Sequence, residues 1–237
     1  LREAGAERRA KVGDPAYTRV DEDDLVAAER LRAVRRGLRE TTTREPEATL
    51  IEDGGTCSLV AWDEAGRVVV VTASVGGMFG AKIATRGGFF LDDSLTDFAH
   101  DALAAKVATK GPNFPRAAAR PVSSMAPTLL LEGGRPALAV SGSGGGRIPG
   151  AILQVMHRAL ASGATLDEAI AAPRFHPPAA GGLSIEEGLA PIAGALRERG
   201  EAPRAIRRGH GHPPPRARRT QRAGGRRRSA QARQRQD

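Results

Sequence analysis

Thr56 follows Gly54 and Gly55 at the point where a polar stretch gives way to an apolar one. A hydroxyl placed after two residues without side chains is open to its neighbours, and the glycine pair permits backbone conformations that other residues resist. Leu59 to Trp62 and Arg67 to Val75 are β-rich runs separated by Asp63-Glu64-Ala65-Gly66, which predicts a hairpin with Thr56 at its mouth. Such a hydroxyl can serve as a nucleophile; it can equally be the threonine that opens an ordinary strand. A second feature is Ser141-Gly142-Ser143-Gly144-Gly145-Gly146, just before an apolar-periodic helix. Backbone N–H groups at such a place hold an anion, or an oxyanion that develops during a reaction. A phosphate loop would continue Gly-Lys-Ser/Thr, whereas this run ends in Arg147-Ile148; a plain flexible strand–helix turn is the alternative. Ser123 and Ser124 put two hydroxyls before a buried strand, which is also what a polar strand entry looks like. Asp97 closes an acidic loop, where a carboxylate either binds a cationic group or caps a turn. His100, His157 and His176 are scattered, no Ser-His-Asp triad assembles, and no His/Cys/Asp/Glu set has metal-ligand spacing. Neither a metal nor a cofactor is expected.

The elements that must position these residues follow from periodicity and punctuation. Leu1 to Lys11 reads as the end of a helix, broken by Gly13-Asp14-Pro15. Asp21 to Asp24 supply an acidic cap and first turn for a helix from about Leu25 to Leu38, whose basic end complements its dipole. Thr41 to Asp53 is a linker, Gly76 to Gly80 an irregular turn, and Phe89 to Leu91 a short strand. Pro127 to Glu132 and Pro136 to Val140 form a second hairpin about Gly133-Gly134. Ile148, Ile152, Val155, Met156 and Leu160 mark the buried stripe of the helix after the glycine run. Thr165 and Glu168 form a capping box, Leu183 to Glu186 a strand, and Pro191 to Arg199 a final helix. Hairpins followed by helices that pack on a sheet indicate an α+β fold.

Aromatic residues make up 3 % of the 237 residues, so the core is aliphatic. No apolar run approaches the ~20 residues that span a membrane. The single cysteine, Cys57, excludes an intrachain disulfide. From Glu201 to Asp237 twelve arginines face two carboxylates, a net +10 within the chain's overall +9, so residues 1–200 carry a net −1. The body is therefore not a nucleic-acid-binding domain by charge. Residues 201–237 are dominated by Pro, Arg, Gln and Gly and read as a disordered tail without stacking aromatics.

Taken in order, Gly13-Asp14-Pro15, Gly55-Thr56, Phe79-Gly80, Asp97-Phe98, Pro121-Val122-Ser123-Ser124-Met125, Gly144-Gly145 with Arg147-Ile148, and Ala172-Pro173-Arg174-Phe175-His176 resemble the γ-glutamyltransferase (γ-glutamyltranspeptidase) family. The resemblance runs from about Ala6 to Leu189 and is lost after about Arg199. It implies an N-terminal nucleophile hydrolase with an αββα sandwich, incomplete in this chain. Residues 1–55 would be the end of the large subunit and the pre-cleavage linker, 56–200 the small catalytic subunit, and 201–237 either a divergent tail or, as favoured, an out-of-frame reading. The resemblance implies self-cleavage between Gly55 and Thr56, after which Thr56 is nucleophile and its own freed amine the base. It assigns Ser74 to assist, Gly144 and Gly145 to the oxyanion hole, Asp97 to the donor's α-ammonium, and Ser123 and Ser124 to its α-carboxylate. Gly76 stands where an Asn commonly contacts substrate, and Ser94 where a longer amide or acid is common. The substrates implied are a γ-glutamyl amide such as glutathione and an amino-acid or water acceptor, with the protein's own large subunit as partner. The Arg that pairs with the donor carboxylate lies upstream of this chain in the family.

Thr56-Cys57-Ser58 replaces the Thr-Thr-His common at the cleavage site, and cleavage one residue later would make the Cys57 thiol the nucleophile. A related amide acylase and an inactive relative are the competing expectations. Because bacterial members are often exported, a signal peptide before Leu1 would imply a periplasmic or extracellular location, and its lack a cytoplasmic one.

Overall fold

The computed structural model describes residues 1–37, 55–99, 111–177, 182–206 and 216–219. The predicted linker from Thr41 to Asp53, Gly54, His100 and residues 220–237 lie outside the described residues.

Helix α1 (Arg2–Lys11) ends at Val12, and the Gly13-Asp14-Pro15 turn follows as predicted. The single helix expected from Leu25 to Leu38 is instead two. Helix α2 (Glu22–Val26) is capped by Asp21, whose side chain accepts from the Asp24 N–H; α3 is Ala28–Gly37, and Ala27 between them leaves the helical conformation with ψ 134°. Ion pairs span the break. Arg30 reaches Asp24 at 2.8 Å and also pairs with Glu7, while Lys11 reaches Asp24 at 3.3 Å, so both short helices turn toward the charged side of α1.

The first hairpin joins β1 (Thr56–Trp62) to β2 (Val68–Ser74), antiparallel, with Thr56 opposite Ser74. Asp63 closes its turn by accepting the Arg67 N–H at 2.8 Å. Side chains alternate along both strands. Thr56, Ser58, Val60 and Trp62 share a half-buried face with Val68, Val70, Thr72 and Ser74, while Leu59, Val69 and Val71 are exposed on the other. The second hairpin joins β3 (Thr128–Glu132) to β4 (Arg135–Ser141), and β4 pairs on its other edge with β8 (Arg216–Arg219). As the central strand, β4 is buried continuously from Leu138 to Ser141.

A 3-10 turn, Gly145–Arg147, leads into α4 (Ile148–Ala161), whose first turn accommodates Pro149. Leu138 and Val140 pack against Ile148 and Ile152. Further along α4, Val155 and Ala159 pack on Ala169 of α5 (Leu166–Ala171), which carries the predicted Thr165–Glu168 capping box. Ala159, not Leu160, continues the buried stripe; Leu160 is exposed. The last sheet contains β5 (Phe175–His176), β6 (Leu183–Glu186) and β7 (Pro203–Ile206), with β7 parallel to β6. Buried Arg174 and Glu186 pair at 3.0 Å where β5 meets β6. The final helix, α6 (Ala193–Glu198), is shorter than expected because Pro191 belongs to a preceding 3-10 segment, Glu187–Ile192.

Two further expectations need correcting. Phe89 to Leu91 make only one β-bridge, Ala84 with Phe90, within a loop whose backbone folds back at Gly88. Composition predicts disorder from Glu201, yet Pro203–Ile206 and Arg216–Arg219 are strands. They dock on β6 and β4, whose edges otherwise present unpaired N–H and C=O groups; backbone pairing of this kind depends little on side-chain type. The mixture of helices with hairpins and sheets is α+β.

Candidate active site

Because side chains two apart on a strand share a face, the register that sets Thr56 opposite Ser74 turns both hydroxyls to one side. Their oxygens lie 2.8 Å apart. The Ser74 hydroxyl also accepts the Gly76 N–H at 3.0 Å, so its proton remains available to Thr56 while its second lone pair can equally receive one. The Val75 N–H donates to the Gly55 carbonyl at 3.1 Å. Gly55 must be small here: a Cβ would meet the Gly77 carbonyl oxygen at 2.3 Å and the Gly76 oxygen at 2.5 Å.

Beyond Ser74 the chain bends through Gly76, at φ +86°, where a Cβ would coincide with the Asp93 carboxylate, 1.4 Å from Oδ1. That carboxylate accepts the Gly77 N–H at 3.0 Å, and the Asp93 N–H donates to the Val75 carbonyl at 3.1 Å. Thus the 3-10 turn Ser94–Asp97 is fastened to the end of β2. Ser94 itself donates its N–H to Asp92 at 2.6 Å. Partial burial raises the pKa of Asp97 above the ordinary carboxylate range; the Arg8 guanidinium pulls it down, and Asp93 and Asp92 add to the rise.

Asn113 joins this turn to the serine pair. Its amide donates to the Asp97 carbonyl at 2.7 Å, and its side-chain oxygen accepts the Val122 N–H at 3.0 Å. Arg8 reaches the Val122 carbonyl at 3.4 Å. Ser123 is exposed, its hydroxyl accepting the Met125 N–H at 3.1 Å, and Ser124 is half-buried beside it. From below, the Asp14 carboxylate accepts the Arg120 N–H at 2.7 Å and pairs with its guanidinium, while Tyr17 donates to the Ala117 carbonyl at 2.6 Å. Gly144 and Gly145, at φ +122° and +54°, form the last turn before α4; the Arg147 N–H donates to the Gly144 carbonyl at 3.1 Å and the Ile148 N–H to the Gly145 carbonyl. His157 is exposed on α4, and His176 lies in β5 with its Nδ1 near Gly150 of α4.

A family model described as gamma-glutamyltranspeptidase matches residues 1–213. The chain belongs to that family. The match runs past Arg199, where the sequence resemblance fades, and takes in β7. Among curated relatives, the glutathione hydrolase proenzyme of Pseudomonas sp. (strain A14) is 30 % identical over 193 residues, covering 74 % of this chain and 32 % of the relative. The chain thus spans about a third of that relative's length. A solved gamma-glutamyltranspeptidase mutant of Helicobacter pylori is 28 % identical with a TM-score of 0.56, covering 63 % of this chain and 84 % of that one. Cephalosporin acylase from Bacillus halodurans has a TM-score of 0.75 over 89 % of this chain and 38 % of its own, and at 20 % identity the likeness is one of fold.

In this gamma-glutamyltranspeptidase family member, a chain of contacts runs from Thr56 through Ser74, the Gly76-Gly77 turn, Asp93, the Ser94–Asp97 turn and Asn113 to the loop that carries the serine pair. Gly144 and Gly145 stand outside that chain, at the start of α4. The sequence alone assigns none of these contacts to Arg8, Asp93, Asn113 and Arg120, and shows Asp14 only as part of the Gly13-Asp14-Pro15 turn. The signal available for Asn113 was its place in Gly111-Pro112-Asn113-Phe114-Pro115, a turn-forming string. For Asp93 it was the unusual Gly76-Gly77 pair, whose missing side chains leave room for a carboxylate from elsewhere.

Proposed function

We propose that this chain supplies the catalytic half of a self-processing γ-glutamyl acyltransferase and hydrolase, with Thr56 as its nucleophile. The observation that carries this is the Thr56–Ser74 hydroxyl pair, 2.8 Å apart, directly after Gly55. Thr56 Oγ1 attacks the Gly55 carbonyl carbon, the C–N bond to Thr56 breaks, and the Gly55 acyl group passes to oxygen as an ester. The Val75 N–H on the Gly55 carbonyl polarises it for that attack. Water then hydrolyses the ester and leaves Thr56 with a free α-amine.

An α-amine ordinarily titrates at about 7.7–8.0, so the freed amine takes the proton of its own hydroxyl near neutral pH. The hydroxyl attacks the side-chain carbonyl of a γ-glutamyl amide such as glutathione, the amine is expelled with a proton, and an acyl-enzyme remains. Water or an amino-acid amine resolves it. The N–H groups of Gly144 and Gly145 hold the oxyanion, each such donor typically contributing about 2.7–4 kcal/mol. Asp97 pairs with the donor's α-ammonium and Ser123 and Ser124 with its α-carboxylate. Ser94 and Gly76 border the same pocket, and Gly76 leaves its place to Asp93. We read the packed sheets and helices as part of an αββα sandwich that the rest of the protein's own large subunit completes.

The relatives' names support glutathione as a donor, being glutathione hydrolase proenzymes. The test is turnover of a γ-glutamyl anilide by the complete polypeptide and by Thr56→Ala. Turnover that disappears in the variant is expected; turnover that persists contradicts the assignment of Thr56.

A further inference from the structure

The β1–β2 hairpin and the β3–β4–β8 sheet share no backbone ladder among the described residues, yet the proposed reaction draws on both. Thr56 and Ser74 stand on the first, and Gly144 follows the end of the second by three residues. The hairpin packs on β4 and β8, and among the contacts between the nucleophile's hairpin and the oxyanion turn's sheet one is directional and can set their register.

It is made by two hydroxyls. Thr72 lies two residues before Ser74 and on the same face of β2, and its Oγ1 is 2.8 Å from the Ser141 Oγ at the end of β4. Ser141 is wholly buried, at 0 % exposure, and its Oγ lies 3.0 Å from the Val71 carbonyl oxygen. The carbonyl can only accept, so the Ser141 proton goes to Val71 and Thr72 donates to Ser141. The order Thr72 O–H to Ser141 O–H to Val71 C=O closes the accounting: each hydroxyl proton has one acceptor, and the link has one direction. Fully satisfied hydrogen bonds of this kind, here part-buried, fix a unique arrangement, where apolar packing alone would let two sheets slide.

We infer that Thr72 and Ser141 are positioning residues that set the separation between the Thr56–Ser74 pair and the Gly144–Gly145 turn. The inference rests on the Thr56 assignment above. Removing the Thr72 hydroxyl displaces one half of the site against the other without touching the donor's binding groups at Asp97, Ser123 and Ser124. The loss therefore falls on kcat and not on KM.

The experiment compares the complete polypeptide with Thr72→Val, which keeps the shape and loses the hydroxyl, and Thr72→Ser, which loses a methyl and keeps it. With a γ-glutamyl anilide, Thr72→Val is expected to lose about tenfold to a hundredfold in kcat, as misplacement of reacting groups does. KM stays within about twofold, the pattern of an interaction made in the transition state, and Thr72→Ser recovers most of the rate. Equal rates in all three proteins, or equal losses in both variants, overturn the inference. Wild-type protein without turnover, or turnover that survives Thr56→Ala, contradicts the Thr56 assignment instead. Amide exchange over residues 142–148 then decides the coupling by itself. Faster exchange in Thr72→Val but not in Thr72→Ser is expected, and no change in either overturns it.

Discussion

At the scale of single residues, Asp97 offers the sharpest consequence. A carboxylate must be ionised to hold an ammonium group, and burial raises its pKa while Arg8 opposes the rise. With Asp97 in the role proposed for it, donor binding is lost as pH falls through a value above the ordinary ~3.9 of an aspartate. The kcat/KM profile is expected to show an acid limb there, and Arg8→Gln to shift it to higher pH by removing an opposing charge. Asp97→Asn is expected to weaken the donor by about 1.5–3 kcal/mol, the usual worth of a hydrogen bond to a charged group. A limb that stays in place in Arg8→Gln would contradict the role given to Asp97. Thr56, the serine pair and the glycine turn stand out in the sequence as hydroxyls and glycines at the mouths of strands or helices, as the proposed roles require. Asp93 does not, because its meaning lies in a distance: it fills the space that Gly76 leaves, and nothing in a linear string sets residue 93 against residue 76.

At the scale of elements, both hairpins, α4 and the capped α5 could be read directly, since alternation, glycine turns and a Thr165–Glu168 box each act locally. The break at Ala27 and the strands after Glu201 could not. The first goes with ion pairs reaching from α2 and α3 to α1, the second with open sheet edges that pair with backbone whatever its side chains. The Gly13-Asp14-Pro15 turn links the two kinds of information. Asp14 props up the loop before Ser123 through the Arg120 N–H and guanidinium, and those bonds hold its carboxyl well below the usual carboxylate range. A depressed folded pKa gives stability that is present above the unfolded value, near ~3.9, and is lost as pH falls toward the folded one. Thermal unfolding is therefore expected to move to lower temperature on acidification below about pH 4. Asp14→Asn should flatten that dependence, and identical acid slopes in the two proteins would count against it.

At the scale of the molecule, the hairpin that carries Thr56 and Ser74 has two unlike faces. One meets β4 through Thr72 and Ser141; the other exposes Leu59, Val69 and Val71. A two-stranded hairpin gains its stability from what it packs on, and an outward row of aliphatic side chains is the kind of surface that a further layer covers. The chain spans about a third of the Pseudomonas relative's length, so the chemistry is best asked of the complete polypeptide. The most direct measurement is its intact mass together with N-terminal sequencing, for the wild type and for Thr56→Ala. Two polypeptides, one beginning at Thr56, are predicted for the wild type, with a single uncut chain for the variant. An uncut wild type, or a new terminus at Cys57, would contradict Thr56 as the self-processing nucleophile.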